Sequence, residues 1–141
     1  MVYQTQSVNE TNQLAAKIAS QTKGGDILGL SGELGSGKTT FAKGFCQYFG
    51  VKEIITSPTF VVMKNYRLPQ AVGKIWEIVH IDSYRINEIE SIGLAEYLNR
   101  DDVVILIEWP EMIEQFLPDS FKKIWFFYVD ENTRRIETDI V

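Results

Sequence analysis

An eight-residue segment, residues 32–39, restricts the fold of this chain more than any other part of it. Its sequence, GELGSGKT, matches the pattern G-x-x-x-x-G-K-[ST] at every position. A segment with an apolar centre, residues 26–31, precedes it, and apolar side chains at helical spacing follow over residues 38–49. This order predicts a buried strand, a glycine-rich turn and a helix, which together form a phosphate-binding loop.

The residue types of this loop suit the binding of a nucleoside triphosphate. Glycines let the backbone turn with positive φ, and the N–H groups of such a turn and of the following helix start attract phosphate oxygens. Lys38 is expected to reach the β- and γ-phosphates, and the Thr39 hydroxyl to bind Mg²⁺. The residues predicted to bind the nucleotide are consecutive: Glu33, Leu34, Gly35, Ser36, Gly37, Lys38, Thr39 and Thr40.

Two acidic residues end apolar strands farther along the chain. Asp82 ends the strand predicted at residues 75–82, and Glu108 ends the strand predicted at residues 103–108. Phosphoryl chemistry needs an acid beside the metal ion at such a position. One of the two is expected to hold Mg²⁺ and the other to position the attacking water, and both assignments stay open. Trp109 is expected either beside the nucleotide or in the core.

Helices and strands alternate in the first half of the chain, and strands dominate the second half. This pattern predicts an α/β protein with a three-layer P-loop NTPase fold, whose mostly parallel, partly mixed central sheet is flanked by helices. A single domain is expected over residues 1–141. Strands are predicted at residues 2–8, 26–31, 59–66, 75–82, 103–108, 121–129 and 134–140, and helices between residues 7 and 24 and at 38–49, 87–98 and 110–116.

Composition excludes several classes of protein. Fourteen basic and nineteen acidic residues leave a net charge of −5, which disfavours direct binding to nucleic acid. The single cysteine, Cys46, cannot form an internal disulfide and is expected to be a buried apolar thiol. Trp125 and Phe127 are expected in the core. Since no apolar run is long enough to span a membrane and no signal peptide is visible, a cytoplasmic protein is expected.

Two absent features narrow the nucleotide and the reaction. The guanine-reading motif N-K-x-D is missing, because Lys64 and Asn65 occur in the reverse order and no aspartate follows at the required place. This favours ATP over GTP. A lid of the kind that binds the acceptor in small-molecule kinases is also not evident in so short a chain.

Four segments together resemble the TsaE family, bacterial ATPases needed for threonylcarbamoyl-adenosine modification of tRNA. They are residues 32–41, GELGSGKTTF; residues 57–60, SPTF; residues 80–85, HIDSYR; and residues 107–110, IEWP. The resemblance covers nearly the whole chain. Because many families share the first segment, the second and the fourth carry the distinction.

The resemblance implies weak hydrolysis of ATP with Mg²⁺. In the family this activity serves a protein complex, the TsaB–TsaD pair, and reaches tRNA only through that pair. The resemblance assigns phosphate binding to Lys38 and Mg²⁺ binding to Thr39 and Glu108. It assigns assistance in hydrolysis to Asp82, so that Lys38, Asp82 and Glu108 form the predicted catalytic group. Trp109 would line the nucleotide site.

Three further assignments come from the resemblance. Ser57 and Thr59 would form a switch-like loop near the γ-phosphate. Part of the adenine contact would come from residues 7–11, where Thr11 is our prediction. A basic residue near the end of the chain would also contact the nucleotide; Arg134 and Arg135 both qualify, and Arg135 is our prediction. The alternatives to an ATPase are a P-loop small-molecule kinase and a nucleotide-dependent binding switch with negligible turnover.

Overall fold

The computed structural model describes residues 1–53, 55, 63–84 and 93–140. Within these residues it has two α-helices, three 3₁₀ turns and seven strands. The helices are α1, Val8–Ser20, and α2, Lys38–Tyr48, and the 3₁₀ turns are Leu94–Glu96, Pro110–Met112 and Glu114–Phe116. The strands are β1, Val2–Thr5; β2, Ile27–Ser31; β3, Met63–Val72; β4, Ile75–Asp82; β5, Val103–Glu108; β6, Lys122–Tyr128; and β7, Arg134–Thr138.

The strands form one sheet in the order β1-β7-β6-β2-β5-β4-β3. The four central strands, β6, β2, β5 and β4, run parallel to one another. Strands β7 and β1 continue the sheet antiparallel on one side, and β3 does so on the other. The predicted α/β class with a partly mixed sheet is therefore confirmed, with the parallel pairs in the buried centre where such pairs are usually found.

The register of the central strands brings their carboxyl ends to one edge of the sheet. Leu30, near the end of β2, pairs with Glu108 at the end of β5. Glu108 in turn pairs with Asp82 at the end of β4. Since α2 begins just beyond the end of β2, the phosphate-binding loop and both acids lie at this edge.

The two faces of the sheet are covered differently. Alternate residues of β2, β4 and β5 pack against α1 and α2 in one apolar cluster, which includes Leu28, Phe41 and Leu106. The intervening residues pack in a second cluster with side chains of the segments between strands, such as Leu94 and Ile113. Among the described residues both α-helices thus lie on the same face, and irregular segments cover the other.

Two aromatic residues of β6 were wrongly expected in the core. Trp125 is 38% exposed and Phe127 is 36% exposed, whereas Ile124 and Phe126, which alternate with them, are buried. The alternation of a strand sends neighbouring side chains to opposite faces, and the helices cover only the face of Ile124 and Phe126. Cys46 is buried as predicted, and burial raises the pKa of its thiol to about 12.

Other boundaries differ in ways that local structure explains. The first strand ends at Thr5, because Ser7 already caps α1. The helix predicted at residues 110–116 is split into two 3₁₀ turns, since Ile113 has a φ of −131°. The predicted strand and helix at residues 59–66 and 87–98 lie partly outside the described residues. No helix of the described ranges is both long and apolar enough to cross a membrane.

Candidate functional site

The start of α2 leaves its first N–H groups without a side-chain partner. The N-cap residue is Gly37, whose φ of +107° lies in the left-handed region that favours glycine, and no side chain caps the helix. The first turn of any α-helix also lacks partners within the helix for its N–H groups. These donors, together with the partial positive charge of the helix start, form a site suited to an anion.

Lys38, the first residue of α2, lies over this site. Its side chain donates a hydrogen bond to the carbonyl oxygen of Gly32, and its Nζ lies 4.1 Å from the centre of the Trp109 ring. Burial lowers the pKa of Lys38 from its usual value, although the negative charges of Glu108 and Asp82 act in the opposite direction. A cation held in a partly desolvated cleft beside uncapped amides suits the binding of a multiply charged phosphate chain.

The two predicted acids face the same cleft from the ends of β4 and β5. Both are buried, Glu108 to 3% exposure and Asp82 to 7%. Asp82 Oδ1 accepts a hydrogen bond of 3.0 Å from the backbone N–H of Tyr84. Glu108 Oε2 lies 2.7 Å from Nε2 of His80, which is fully buried. The carboxylate of Glu108 is therefore held by a residue of the neighbouring strand, β4.

The backbone after Glu108 is held by Ser83. The backbone N–H of Ser83 donates to the carbonyl of Glu108 at 3.0 Å, and the Ser83 hydroxyl contacts the carbonyls of both Glu108 and Trp109. Trp109 has a φ of +61°, the one positive φ of a non-glycine residue in the described chain. Its ring packs against that of Tyr84, with 4.9 Å between the ring centres and 49° between the ring planes. These contacts fix Trp109 as one wall of the cleft, beside Lys38.

The cleft formed by these elements has a volume of about 790 Å³. Of the predicted site residues it is lined by Thr11, Glu33, Leu34, Gly35, Gly37, Lys38, Thr39, Thr40, Asp82, Glu108 and Trp109. Ser36 is not among the lining residues; it is 1% exposed, and its hydroxyl lacks a hydrogen-bond partner in the described structure. The structure therefore gathers residues from four distant parts of the sequence into one cavity.

The arginine at the cleft is Arg134, not Arg135. Arg134 lines the cavity, and its Nε donates to the carbonyl of Gly35 at 3.1 Å. Arg135 instead lies over the Phe127 ring at 4.4 Å and contacts Glu137 at 3.5 Å. Because successive side chains of β7 point to opposite faces of the sheet, Arg135 is the wrong one of the two for a place at the cleft.

Comparison with known proteins assigns this arrangement to a family. The family model described as threonylcarbamoyl adenosine biosynthesis protein TsaE matches residues 5–136. The chain belongs to the TsaE family.

Individual relatives agree with this assignment. The tRNA threonylcarbamoyladenosine biosynthesis protein TsaE of Bacillus subtilis is 37% identical over 135 residues, which cover 95% of this chain and 82% of that protein. The protein of the same name from Streptomyces coelicolor is 36% identical over 115 residues, covering 78% and 74%. The crystal structure of Bacillus subtilis YdiB superposes with a TM-score of 0.79 at 33% identity, covering 98% of this chain and 83% of that one.

The donor set of this TsaE-family cleft fits a nucleotide with Mg²⁺. Mg²⁺ prefers oxygen ligands and is commonly held by one or two carboxylates together with phosphates and water. Thr39, Asp82 and Glu108 offer such oxygens around one cavity. The described residues include no cluster of three His, Cys, Asp or Glu side chains that would bind a metal by itself. The residues thus suit a metal that arrives with phosphates rather than a metal bound by protein groups alone.

Sequence reasoning missed several contributors to the site. Glu111 accepts a hydrogen bond of 2.7 Å from the hydroxyl of Ser31, and its charge acts on Lys38. Glu131 and Asn132, in the turn between β6 and β7, also line the cleft. The role of His80 beside Glu108 was likewise not foreseen. Glu111, Glu131 and Asn132 belong to none of the quoted motifs. His80 lies in the segment 80–85, but its contact with Glu108 depends on the pairing of β4 with β5. Ser57 and Thr59, the predicted switch loop, lie outside the described residues.

Proposed function

We propose that this TsaE-family protein binds and hydrolyses ATP with Mg²⁺. We further propose that it supports threonylcarbamoyl-adenosine modification of tRNA by acting on the TsaB–TsaD complex. The observation that carries this proposal is the single cleft in which an uncapped helix start and Lys38 face two buried acids, Asp82 and Glu108. Such a combination of an anion site and acidic residues is what phosphoryl transfer to water requires.

The residues of the cleft divide the work by chemical type. The N–H groups at the start of α2 and the ammonium of Lys38 bind the phosphates. Thr39 and Glu108 would hold Mg²⁺, which when bound neutralises charge on the phosphate oxygens. Asp82, whose carboxylate accepts a hydrogen bond from the N–H of Tyr84, would accept a further hydrogen bond from the attacking water. The catalysis proposed here is therefore positioning and charge stabilisation rather than covalent chemistry.

Further residues that line the cleft support binding of the nucleoside. They are Ser7, Val8 and Thr11 at the start of α1, with Asn132 and Arg134 from the β6–β7 hairpin. An apolar side chain beside hydroxyl and amide groups suits a flat heterocycle with polar edges. Since the sequence lacks the guanine-reading motif, we assign these residues to adenine.

The charge of the chain supports action through a protein partner. A net charge of −5 opposes direct binding to the phosphates of tRNA. The related proteins of Bacillus subtilis and Streptomyces coelicolor carry names that place them in tRNA threonylcarbamoyladenosine biosynthesis. We therefore propose that the chain works in the cytoplasm on the TsaB–TsaD pair, which in turn acts on tRNA.

Release of phosphate from ATP by the purified chain, alone and then with the TsaB–TsaD pair, tests this proposal. We expect slow release from the chain alone and faster release when the pair is added. A Lys38→Ala variant at the same concentration serves as the control for contaminating ATPases. Tight ATP binding without release in either condition would favour a binding switch. Transfer of phosphate to a metabolite in place of water would favour a kinase.

A further inference from the structure

His80 is a fully buried polar residue with one described polar contact. Its side chain has no exposed area, and its Nε2 lies 2.7 Å from Oε2 of Glu108. Its other ring nitrogen, Nδ1, has no hydrogen-bond partner in the described part of the chain. An unpartnered buried nitrogen costs free energy. Apart from packing, the described interaction of the imidazole with the rest of the protein is therefore its contact with Glu108.

Stability alone does not account for this pair. Replacing a buried polar pair with apolar side chains of similar volume is often neutral or stabilising. Residues on both sides of His80 are apolar: Ile78 and Ile81 are fully buried on the same strand. An apolar residue at position 80 would extend that core without leaving a buried nitrogen unpaired. The contact with Glu108 is the feature that an apolar residue could not reproduce.

The contact with His80 also occupies one of the two carboxylate oxygens of Glu108. Of the acidic residues, Glu108 has the largest effect on the pKa of Lys38, so the two opposite charges attract each other across the cavity. The side-chain hydrogen bond of Glu108 in the described structure is nevertheless with His80. With Oε2 committed to His80, the second carboxylate oxygen is left for a ligand in the cleft that Glu108 lines.

We propose that His80 is a positioning residue that orients the Glu108 carboxylate toward the divalent cation bound with the nucleotide. This inference rests on the proposed function, in which Glu108 holds Mg²⁺. A carboxylate oxygen accepts hydrogen bonds, so His80 donates through Nε2 and holds one oxygen in place. Ser83 fixes the backbone of Glu108 in the same way from the end of β4. Together they hold the metal-binding residue by its carboxylate and by its carbonyl.

Two amide substitutions separate positioning from packing. In His80→Gln the side-chain amide nitrogen reaches about as far as Nε2, so a donor to Glu108 is retained. In His80→Asn the amide nitrogen lies near the position of Nδ1 and cannot reach Glu108. The two variants carry the same functional group in the same buried place. A difference between them therefore reports on the hydrogen bond.

The experiment measures binding of a non-hydrolysable ATP analogue by calorimetry, first with EDTA and then at stepped Mg²⁺ concentrations. The Mg²⁺ midpoint is the Mg²⁺ concentration at which half of the Mg²⁺-dependent gain in affinity for the analogue is reached. In His80→Asn we expect this midpoint to rise about tenfold, the lower end of what loss of a hydrogen bond to a metal ligand costs. Affinity in EDTA should stay unchanged. The Mg²⁺ midpoint of His80→Gln should lie within about threefold of the midpoint of the unaltered protein, because the amide donor reaches Glu108. Equal Mg²⁺ midpoints in His80→Asn and the unaltered protein would overturn the inference.

A matched packing control is available two residues away. Ile78 is fully buried on the same face of β4, and Ile78→Ala removes packing without touching Glu108. It should lower the melting temperature and leave the Mg²⁺ midpoint unchanged. If Ile78→Ala shifts the midpoint as much as His80→Asn, the effect is general loosening and the inference is wrong. If the unaltered protein shows no Mg²⁺-dependent nucleotide binding, the proposed function fails, and the inference fails with it.

Discussion

The starts of the two α-helices line the same cleft but differ in how their first N–H groups are capped. At α1, the hydroxyl of Ser7 accepts a hydrogen bond of 3.1 Å from the N–H of Glu10, and Glu10 accepts one from the N–H of Gln6. At α2, the cap is Gly37, which has no side chain to offer. The first helix start thus has a side-chain cap, whereas the second has none in the described structure.

This difference shows how one local element can serve stability in one place and binding in another. A capped helix start contributes to the free energy of unfolding, and a substitution there should weaken the fold. If the proposed function holds, the uncapped start beside Lys38 contributes to the affinity for phosphate, and a substitution there should weaken binding while the fold persists. Substitutions at the two helix starts, and at the groups that face them, can separate these effects.

The largest effect is expected from Lys38→Ala. The substitution removes a charge-assisted contact to phosphate, so binding of inorganic tripolyphosphate should weaken by about 1.5–3 kcal/mol, as measured by calorimetry. The melting temperature should change little, because Lys38 in the unliganded protein is a partly desolvated cation whose pKa burial lowers.

Lys43→Ala is the matched control for Lys38→Ala. Lys43 lies on the same helix, but its side chain is exposed. Its removal should leave tripolyphosphate affinity unchanged. Unchanged affinity in Lys38→Ala itself would contradict the assignment of the phosphate-binding loop.

The next largest effect is expected at the acids that face α2. In Glu108→Gln the Mg²⁺ concentration needed for half-maximal ATP hydrolysis should rise by more than the roughly tenfold expected for loss of the positioning residue His80, because a direct ligand is lost. In Asp82→Asn the turnover rate should fall while that Mg²⁺ concentration stays the same. Kinetics over a range of Mg²⁺ concentrations separate the two. If only Asp82→Asn changes the metal requirement, the two roles are reversed.

Ser7→Ala tests the capped helix start. Loss of the hydroxyl cap should lower the free energy of unfolding by about 1 kcal/mol, as measured by urea denaturation. Affinity for tripolyphosphate should not change, since the groups proposed to bind phosphate belong to the start of α2. A loss of tripolyphosphate affinity together with unchanged stability would break the contrast drawn between the two helices.

The smallest effect is expected from the adjacent arginines of β7. Arg134→Gln should weaken ADP binding about two- to fivefold, in keeping with the modest energy of an exposed charged contact. Arg135→Gln should leave it unchanged, because Arg135 lies over Phe127 on the other face of the sheet. Equal losses in both variants, measured by calorimetry, would contradict the placement of Arg134 at the cleft.

Local sequence patterns predicted the parts of the molecule that neighbouring residues build. The phosphate-binding loop is one continuous segment, and α2 begins at Lys38 as its motif indicates. The first and last residues of β4 and β5 were predicted correctly, because each strand is a mainly apolar run that ends in an acid. Parallel pairing then brings Asp82 and Glu108 to the same edge of the sheet.

Features that depend on pairing between distant segments could not be predicted in this way. The contact of His80 with Glu108 needs the register of β4 against β5. To choose Arg134 over Arg135, one must know which side chains of β7 point to which face of the sheet. The sequence does not reveal this, because the short strand has polar residues on both faces. The exposure of Trp125 needs knowledge of which face the helices leave uncovered.

The position of β2 in the sheet has a consequence for folding during synthesis. This strand, which leads into the phosphate-binding loop, is formed by residues 27–31, yet its two neighbours are β5, residues 103–108, and β6, residues 122–128. Contacts so distant along the chain form slowly and late. A ribosome must therefore deliver most of the chain before the loop has a sheet to support it. Nascent chains that stop before β6 should not bind nucleotide, and neither chaperones nor ligands should restore the binding.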